Sequence, residues 1–401
     1  MLKRSAASRL TALCAWYPII AVTGPRQSGK TTLVREVFSN KPYVTLEDPD
    51  VRATALADPR GFLGLYTNGA ILDEVQRAPD LFSYLQGMVD AQQVMGQWVL
   101  TGSQQLGLMS GVSQTLAGRV GLLQLLPLSV GELLAGDALP ASRSLEDMLW
   151  RGLYPAPALR KVPPTDWYAD YFATYVERDV RQMLQVRDLA AFRLFVRMCA
   201  ARTGQLLNLS ALAADCGVST NTAKGWLSVL EASYIVFTLK PHHANFGMQL
   251  TKSPKLYFHD TGLAAWLAGL RTAEELSLSS MRGALFENWA VCEALKHSYN
   301  QRLDMQLHFW RNKSGIEVDL LIEFEQSLQA VEFKAGKTVA SDWFRSLKKY
   351  AELIADGRNP ELNQTLTQTL VYGGDATHTR PKIHVMGWRT WAEALAKQYV
   401  N

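Results

Sequence analysis

The octapeptide Gly24-Pro25-Arg26-Gln27-Ser28-Gly29-Lys30-Thr31 constrains this chain most. It fits G-x-x-x-x-G-K-[ST] and lies between an apolar run, Pro18 to Thr23, and a segment of helical character beginning at Lys30. Glycines near both ends let successive backbone N–H groups turn inward, and a helix opening at Lys30 aims its positive end at the same point. Such a loop cradles phosphate. The backbone from Gly24 through Pro25, Arg26, Gln27, Ser28 and Gly29 to Thr32 is expected to wrap ATP. Lys30 is expected to reach the β and γ oxygens, and Thr31 to hold Mg2+ through its hydroxyl.

The surrounding pattern predicts an α/β domain with a parallel sheet covered on both faces. Apolar runs at 18–23, 43–46, 69–72, 97–101 and 121–126 alternate with helical stretches, beginning with 30–38. The run Ala70-Ile71-Leu72 ends in two carboxylates. Asp73 is expected in the metal shell and Glu74 beside the attacking water, the alternative being an acidic cap after a strand. A further strand ends in Thr101-Gly102-Ser103-Gln104, where Ser103 is placed to sense the γ-phosphate unless this is a plain turn. Arg119 is the candidate for a transition-state arginine from a neighbouring copy, against a surface or capping role. Arg178 is the second choice. Arg119 is the one ground for expecting a homo-oligomer.

Length and composition set the frame for the rest. At 401 residues, 48% apolar and 19% charged, the chain is globular and long enough for several domains. A net charge of +4 is compatible with nucleic acid without demanding it. Four scattered cysteines fit neither a disulfide framework nor a zinc site, and no run is long enough to span a bilayer. The expectation is a cytoplasmic protein with no membrane partner.

Four segments are expected: a P-loop domain over 1–135, a helical linker or lid over 136–195, a winged helix over 196–268 and a second α/β domain over 269–401. The lid is broken by the proline-rich stretch 155–164. In the third, a short helix from Leu209, a turn at Gly217 and a longer helix from Thr220 precede strands at 235–239 and 255–258. Thr220, Asn221, Thr222 and Lys224 open the helix that would meet DNA, and Lys240, His242, His243, Lys252 and Lys255 would charge the wing. Docking of a protein partner is the alternative.

In the last domain, a helix, three strands, a helix and two strands are expected. Glu332 and Lys334 share one face of a strand, with Asp319 on the strand before it and Glu287 on the preceding helix. Asp319 and Glu332 would hold Mg2+ while Lys334 orients water at a phosphodiester; an ion-paired, inactive strand is the alternative.

Taken together, GPRQSGKTT, ILDEVQ, LTGSQQ, TLAGRV, YVERDV and EVDLLIE…VEFKAG resemble the bacterial and archaeal AAA-type ATPases that end in a DUF4143 domain. The likeness runs over essentially the whole chain. It implies an ATP-binding P-loop domain, a winged-helix middle and a restriction-endonuclease-like C-terminal fold similar to PD-(D/E)xK nucleases. It places ATP residues at Gly24, Gly29, Lys30, Thr31, Asp73 and Glu74, and nuclease-like positions at Glu287, Asp319, Glu332 and Lys334. One departure is that Val318, not proline, precedes Asp319. The expected function is Mg2+-dependent ATP hydrolysis linked to DNA. The runner-up is a nucleotide-controlled switch on a protein partner with an inactive C-terminal domain.

Overall fold

Five apolar runs too short for helices become the strands of the first unit. The computed structural model describes residues 2–102, 115–176, 188–242, 251–355 and 365–398. In it β1 (Ile19–Thr23), β2 (Tyr43–Thr45), β3 (Ile71–Asp73), β4 (Trp98–Thr101) and β5 (Val120–Gln124) form a parallel sheet ordered β2-β3-β4-β1-β5. Each lies within about two residues of its expected run. The interior strands β1 and β4 are buried along their whole length, as strands covered on both faces must be. Alternation sorts their side chains. Ile19 and Ala21 join Leu72, Trp98 and Leu100 on one face, beside Phe82 and Leu85 of helix Leu81–Gln92. Ile20 and Val22 join Ile71 and Val99 on the other, beside Leu10 of helix Ala6–Trp16 and Leu33 of helix Lys30–Val37.

This unit comprises Met1–Leu128 with two distant pieces, Ala232–Tyr234 and Tyr299–Arg302. The remaining chain forms the second unit, built on one eight-stranded sheet. Its strands are β6 (Val236–Pro241), β7 (Lys255–Phe258), β8 (Gln306–Arg311), β9 (Glu317–Phe324), β10 (Ser327–Lys334), β11 (Thr365–Tyr372), β12 (His378–Arg380) and β13 (Ile383–Gly387). Their order is β12-β13-β11-β10-β9-β8-β6-β7.

Here several expectations change. The two strands expected as a separate wing pair with each other, but β6 also pairs with β8 at Lys240↔His308 and so enters the C-terminal sheet. After helix Arg345–Ala355 come three strands and a closing helix, Trp388–Gln398, in place of two strands. The proline-rich segment 155–164 interrupts the helical stretch as expected, into helices Leu145–Arg151, Pro155–Leu159 and Pro164–Tyr171, and its prolines also start the next helices. Pro155 and Pro164 each open a helix, at a position where the missing N–H would have had no partner. Among the described residues no helix is long and apolar enough to cross a membrane, and all four cysteines are free thiols.

A buried carboxylate ties the helices of the second unit together. Asp260 caps helix Thr261–Leu267 through Leu263 N–H at 3.0 Å, and accepts Leu153 N–H at 2.7 Å and the Tyr168 hydroxyl at 2.6 Å. Gly152 and Gly262 leave room for this junction, since a Cβ on either would fall 2.2 or 2.3 Å from the Tyr168 hydroxyl. Asp260→Ala is predicted to destabilise the protein by about 3 kcal/mol, because it strands the buried Leu153 N–H and removes a cap, while the Tyr168 hydroxyl keeps the Arg151 carbonyl at 2.8 Å. A lowered urea midpoint, partly restored in Asp260→Asn, would show this.

Candidate functional site

The loop after β1 is shaped by residues that tolerate unusual backbone. Gly24 has φ +142, and a Cβ there would sit 2.1 Å from the Leu125 carbonyl oxygen. Gly29 (φ +95) and Gln27 (φ 60) are also left-handed. Gly29 caps helix Lys30–Val37, whose first N–H groups face the loop. The Lys30 ammonium spans the loop, donating to the Gly24 carbonyl at 2.9 Å and the Pro25 carbonyl at 2.8 Å. Burial pushes Lys30 down to about 8 against the opposing pull of Glu74 and Asp73. Carbonyl dipoles alone satisfy this ammonium poorly, and a phosphate would satisfy it better.

Opposite the loop, Asp73 ends β3. It accepts the Thr31 hydroxyl at 3.2 Å and the Tyr43 hydroxyl at 2.5 Å, and its other oxygen is bonded by Thr101 at the end of β4. A threonine hydroxyl facing a carboxylate beside a phosphate loop is a donor set that fits Mg2+. Glu74 follows in the left-handed region at φ 55, a strained conformation for a residue with a side chain, and accepts Gln76 Nε2 at 2.5 Å. Thr32 is exposed on the first helical turn, Arg26 is half-buried and Ser28 is buried. The expected sensor Ser103 and the second-choice Arg178 lie outside the described residues.

Sequence reasoning missed three supports of this loop. Arg4 is buried and donates to the Ser28 and Leu126 carbonyls, both at 2.8 Å. Tyr43 holds Asp73. Tyr234, more than two hundred residues away, places its hydroxyl 2.9 Å from Thr23 Oγ1 and 3.2 Å from Gln124 Nε2. A Tyr at a strand start and a basic N-terminus are faint hints of the first two. Tyr234 left none.

Arg119 stands immediately before β5, and Val120 pairs with Ile19 at the start of β1. It is therefore at the sheet edge opposite the loop, about 13 Å along the strands. There it grips Asp90 with Nε and with a second nitrogen at 2.9 Å. It does not reach the phosphate loop of its own chain.

In the second unit, helices Leu209–Asp215 and Thr220–Ala232 form as expected, and Ser219, Thr220, Asn221, Thr222 and Lys224 are exposed. Lys240 and Lys252 are exposed too. Two other wing cations are not: His242 is buried with Nε2 2.7 Å from Glu323, and Lys255 is buried in the sheet. His243 lies outside the described residues.

Lys255 meets the C-terminal carboxylates. One oxygen each of Glu287, Glu317 and Asp319 lie within 4.8 Å of one another. Lys255 Nζ is 2.8 Å from Glu287 Oε1 and is also bonded to Glu317 Oε1. The Tyr257 hydroxyl donates to Glu287 at 2.6 Å, and Phe333 N–H to Asp319 at 2.8 Å. Glu332 is turned to Lys334 at 2.6 Å. Glu317, which sequence reasoning passed over, joins Glu287 and Asp319, while Glu332 and Lys334 stay close enough to interact electrostatically with Asp319 and Glu287, as expected. One oxygen of each of the three carboxylates is already bonded, Glu287 and Glu317 by the Lys255 ammonium and Asp319 by a backbone N–H, so a divalent metal bridging the trio would compete with Lys255. Burial raises Glu287 to about 7. Burial, with Asp319 next, raises Glu332 to about 8.

Comparison with known proteins matches residues 17–134 to an AAA domain, 142–274 to a domain of unknown function (DUF8612) and 282–391 to a domain of unknown function (DUF4143). The uncharacterized proteins Rv2008c of Mycobacterium tuberculosis and Mb2031c of Mycobacterium bovis are each 34% identical to this chain over 344 residues, covering 84% of this chain and 74% of theirs. Among solved structures, the Walker-type ATPase PABY2304 of Pyrococcus abyssi is 13% identical at TM-score 0.46, covering 67% of this chain and 96% of that one. AMPPCP-bound DnaA of Aquifex aeolicus is 14% identical at TM-score 0.31, covering 56% and 85%.

The raised Glu332 has a consequence for stability. A carboxyl lifted from an ordinary 4.5 to about 8 contributes stability that is fully present below pH 4.5 and lost as pH rises through about 8. Wild type is predicted to lose thermal stability relative to Glu332→Gln over that window. Parallel melting curves across the window would leave the neutral form without a role.

Proposed function

The chain belongs to the family of AAA-domain proteins that carry a C-terminal DUF4143 domain, and from that premise we propose that it is a Mg2+-dependent ATP hydrolase acting on DNA. The observation that carries the hydrolase reading is the carboxylate Asp73, held by Thr31, Tyr43 and Thr101 next to the Lys30 ammonium. Lys30 would exchange its two carbonyl partners for phosphate oxygens. Thr31 and Asp73 would hold Mg2+, which neutralises phosphate charge when bound. Glu74, positioned at the strand end by its left-handed backbone, would orient the attacking water and take its proton. Arg119 would act on the nucleotide of a neighbouring copy in a homo-oligomer, since its own site is at the far sheet edge. The reduced cysteines accord with a cytoplasmic setting.

Lys30→Ala is expected to lose ATP binding and turnover together. Glu74→Gln is expected to keep binding while turnover falls by on the order of 100-fold. Full hydrolysis by Lys30→Ala would remove the proposal.

DNA is the proposed substrate because helix Thr220–Ala232 opens with exposed Thr220, Asn221, Thr222 and Lys224, flanked by exposed Lys240 and Lys252. Burial of His242 and Lys255 favours a second reading, in which the same polar surface docks a protein partner and the nucleotide acts as a switch. Salt dependence separates the two. DNA contact predicts duplex binding that weakens steeply with added salt, with a log–log slope reduced by about one in Lys224→Ala. ATP turnover and binding indifferent to duplex, single-stranded and branched DNA would leave the protein-switch reading standing.

A further inference from the structure

The carboxylate cluster of the second unit already contains a cation. We infer that Lys255 is the resident cation of this cluster, standing where a divalent metal would otherwise bridge Glu287, Glu317 and Asp319. The inference concerns the second unit alone and stands whatever the first unit does with ATP.

Three observations converge on it. The Lys255 ammonium bonds two of the three carboxylates, Glu287 at 2.8 Å and Glu317, and its side chain is only 3% exposed. The ring of Phe309 lies 5.5 Å from the nitrogen to the ring centre, and it also favours a cation. The backbone beneath it is fixed. Lys255 pairs with Leu239 across β6 and β7 and bridges to Leu206, while Leu256 exchanges hydrogen bonds with Gly204 and Gln205 on either side. The side chain therefore starts from a paired strand and is directed into the buried cluster.

A metal and this ammonium compete for the same oxygens. Two cations crowded against one set of carboxylates repel each other in a medium that screens poorly, and an ammonium pushed off its partners would remain buried and unpaired. Neighbouring oxygens are partly committed as well: Asp319 Oδ2 accepts Phe333 N–H, Glu317 Oε2 accepts Arg311 and Glu332 Oε1 accepts Lys334, while Glu332 Oε2 is buried without a hydrogen-bond partner among the described residues. The trio Glu287, Glu317 and Asp319 is thus completed by an internal salt-bridged lysine and needs no divalent ion to balance its charge.

The test is Mn2+ binding by the nucleotide-free full chain, followed by electron paramagnetic resonance and by thermal unfolding. The proteins are wild type, Lys255→Met and Lys255→Arg, each with and without Asp319→Asn. Wild type and Lys255→Arg are expected to show no Mn2+ binding that Asp319→Asn removes. Lys255→Met is expected to melt several degrees lower and to regain that loss on adding Mn2+, through a site that Asp319→Asn abolishes. Mn2+ bound by wild type and lost on Asp319→Asn would overturn the inference. So would a folded Lys255→Met that melts like wild type and gains no Mn2+. Should Lys255→Met not fold, wild type against Asp319→Asn alone decides in either direction.

Discussion

Parallel pairing obliges the strands of the first unit to end at one edge, and the chemistry of that unit depends on it. Thr45, Asp73, Thr101 and Val22 are register partners across four strands, so residues separated by tens of positions in sequence finish side by side. The loop from Gly24 follows the same edge. Nothing in the local sequence around Thr101 announces a contact with Asp73; the register makes it. The same rule sends Arg119 to the opposite edge, where it is bound by Asp90.

Two buried lysines show how differently one side chain can be accommodated. Lys30 is surrounded by carbonyl oxygens of its own loop, and burial draws it down to about 8. Lys255 feels the same desolvation, yet the carboxylates of Glu287, Asp319 and Glu317 outweigh it and hold its pKa above the ordinary lysine range. The first ammonium faces neutral carbonyls and the second faces carboxylates, so two lysines at nearly the same depth are shifted in opposite directions by what lies against the nitrogen.

Much of this was legible in the residues. The phosphate loop, its strands, the pair Asp73-Glu74 and the C-terminal E-x-K all sit on elements of the expected type, since short apolar runs with glycine or acidic ends fold the same way almost regardless of context. Contacts between distant segments were not legible, and Arg4, Tyr43 and Tyr234 are of that kind. Lys255 was visible but misplaced. It was expected on an exposed wing, yet all four residues of β7 are buried, so the strand carries no alternation by which to tell an inward lysine from an outward one. The prolines at 155 and 164 mark the breaks in the helical stretch, and each stands at the first position of the next helix, where its missing N–H costs nothing.

Tyr234 carries one more consequence. With Ala232 and Ser233 it is a fragment of the first unit delivered from the far side of the sequence, as is Tyr299–Arg302. The ATPase unit is therefore discontinuous along the gene. A truncated fragment that stops at Leu128 would contain the whole phosphate loop and all five strands, yet leave Thr23 and Gln124 without the hydroxyl that joins them. Cutting the chain at the Leu128 boundary would therefore split the unit it sets out to isolate.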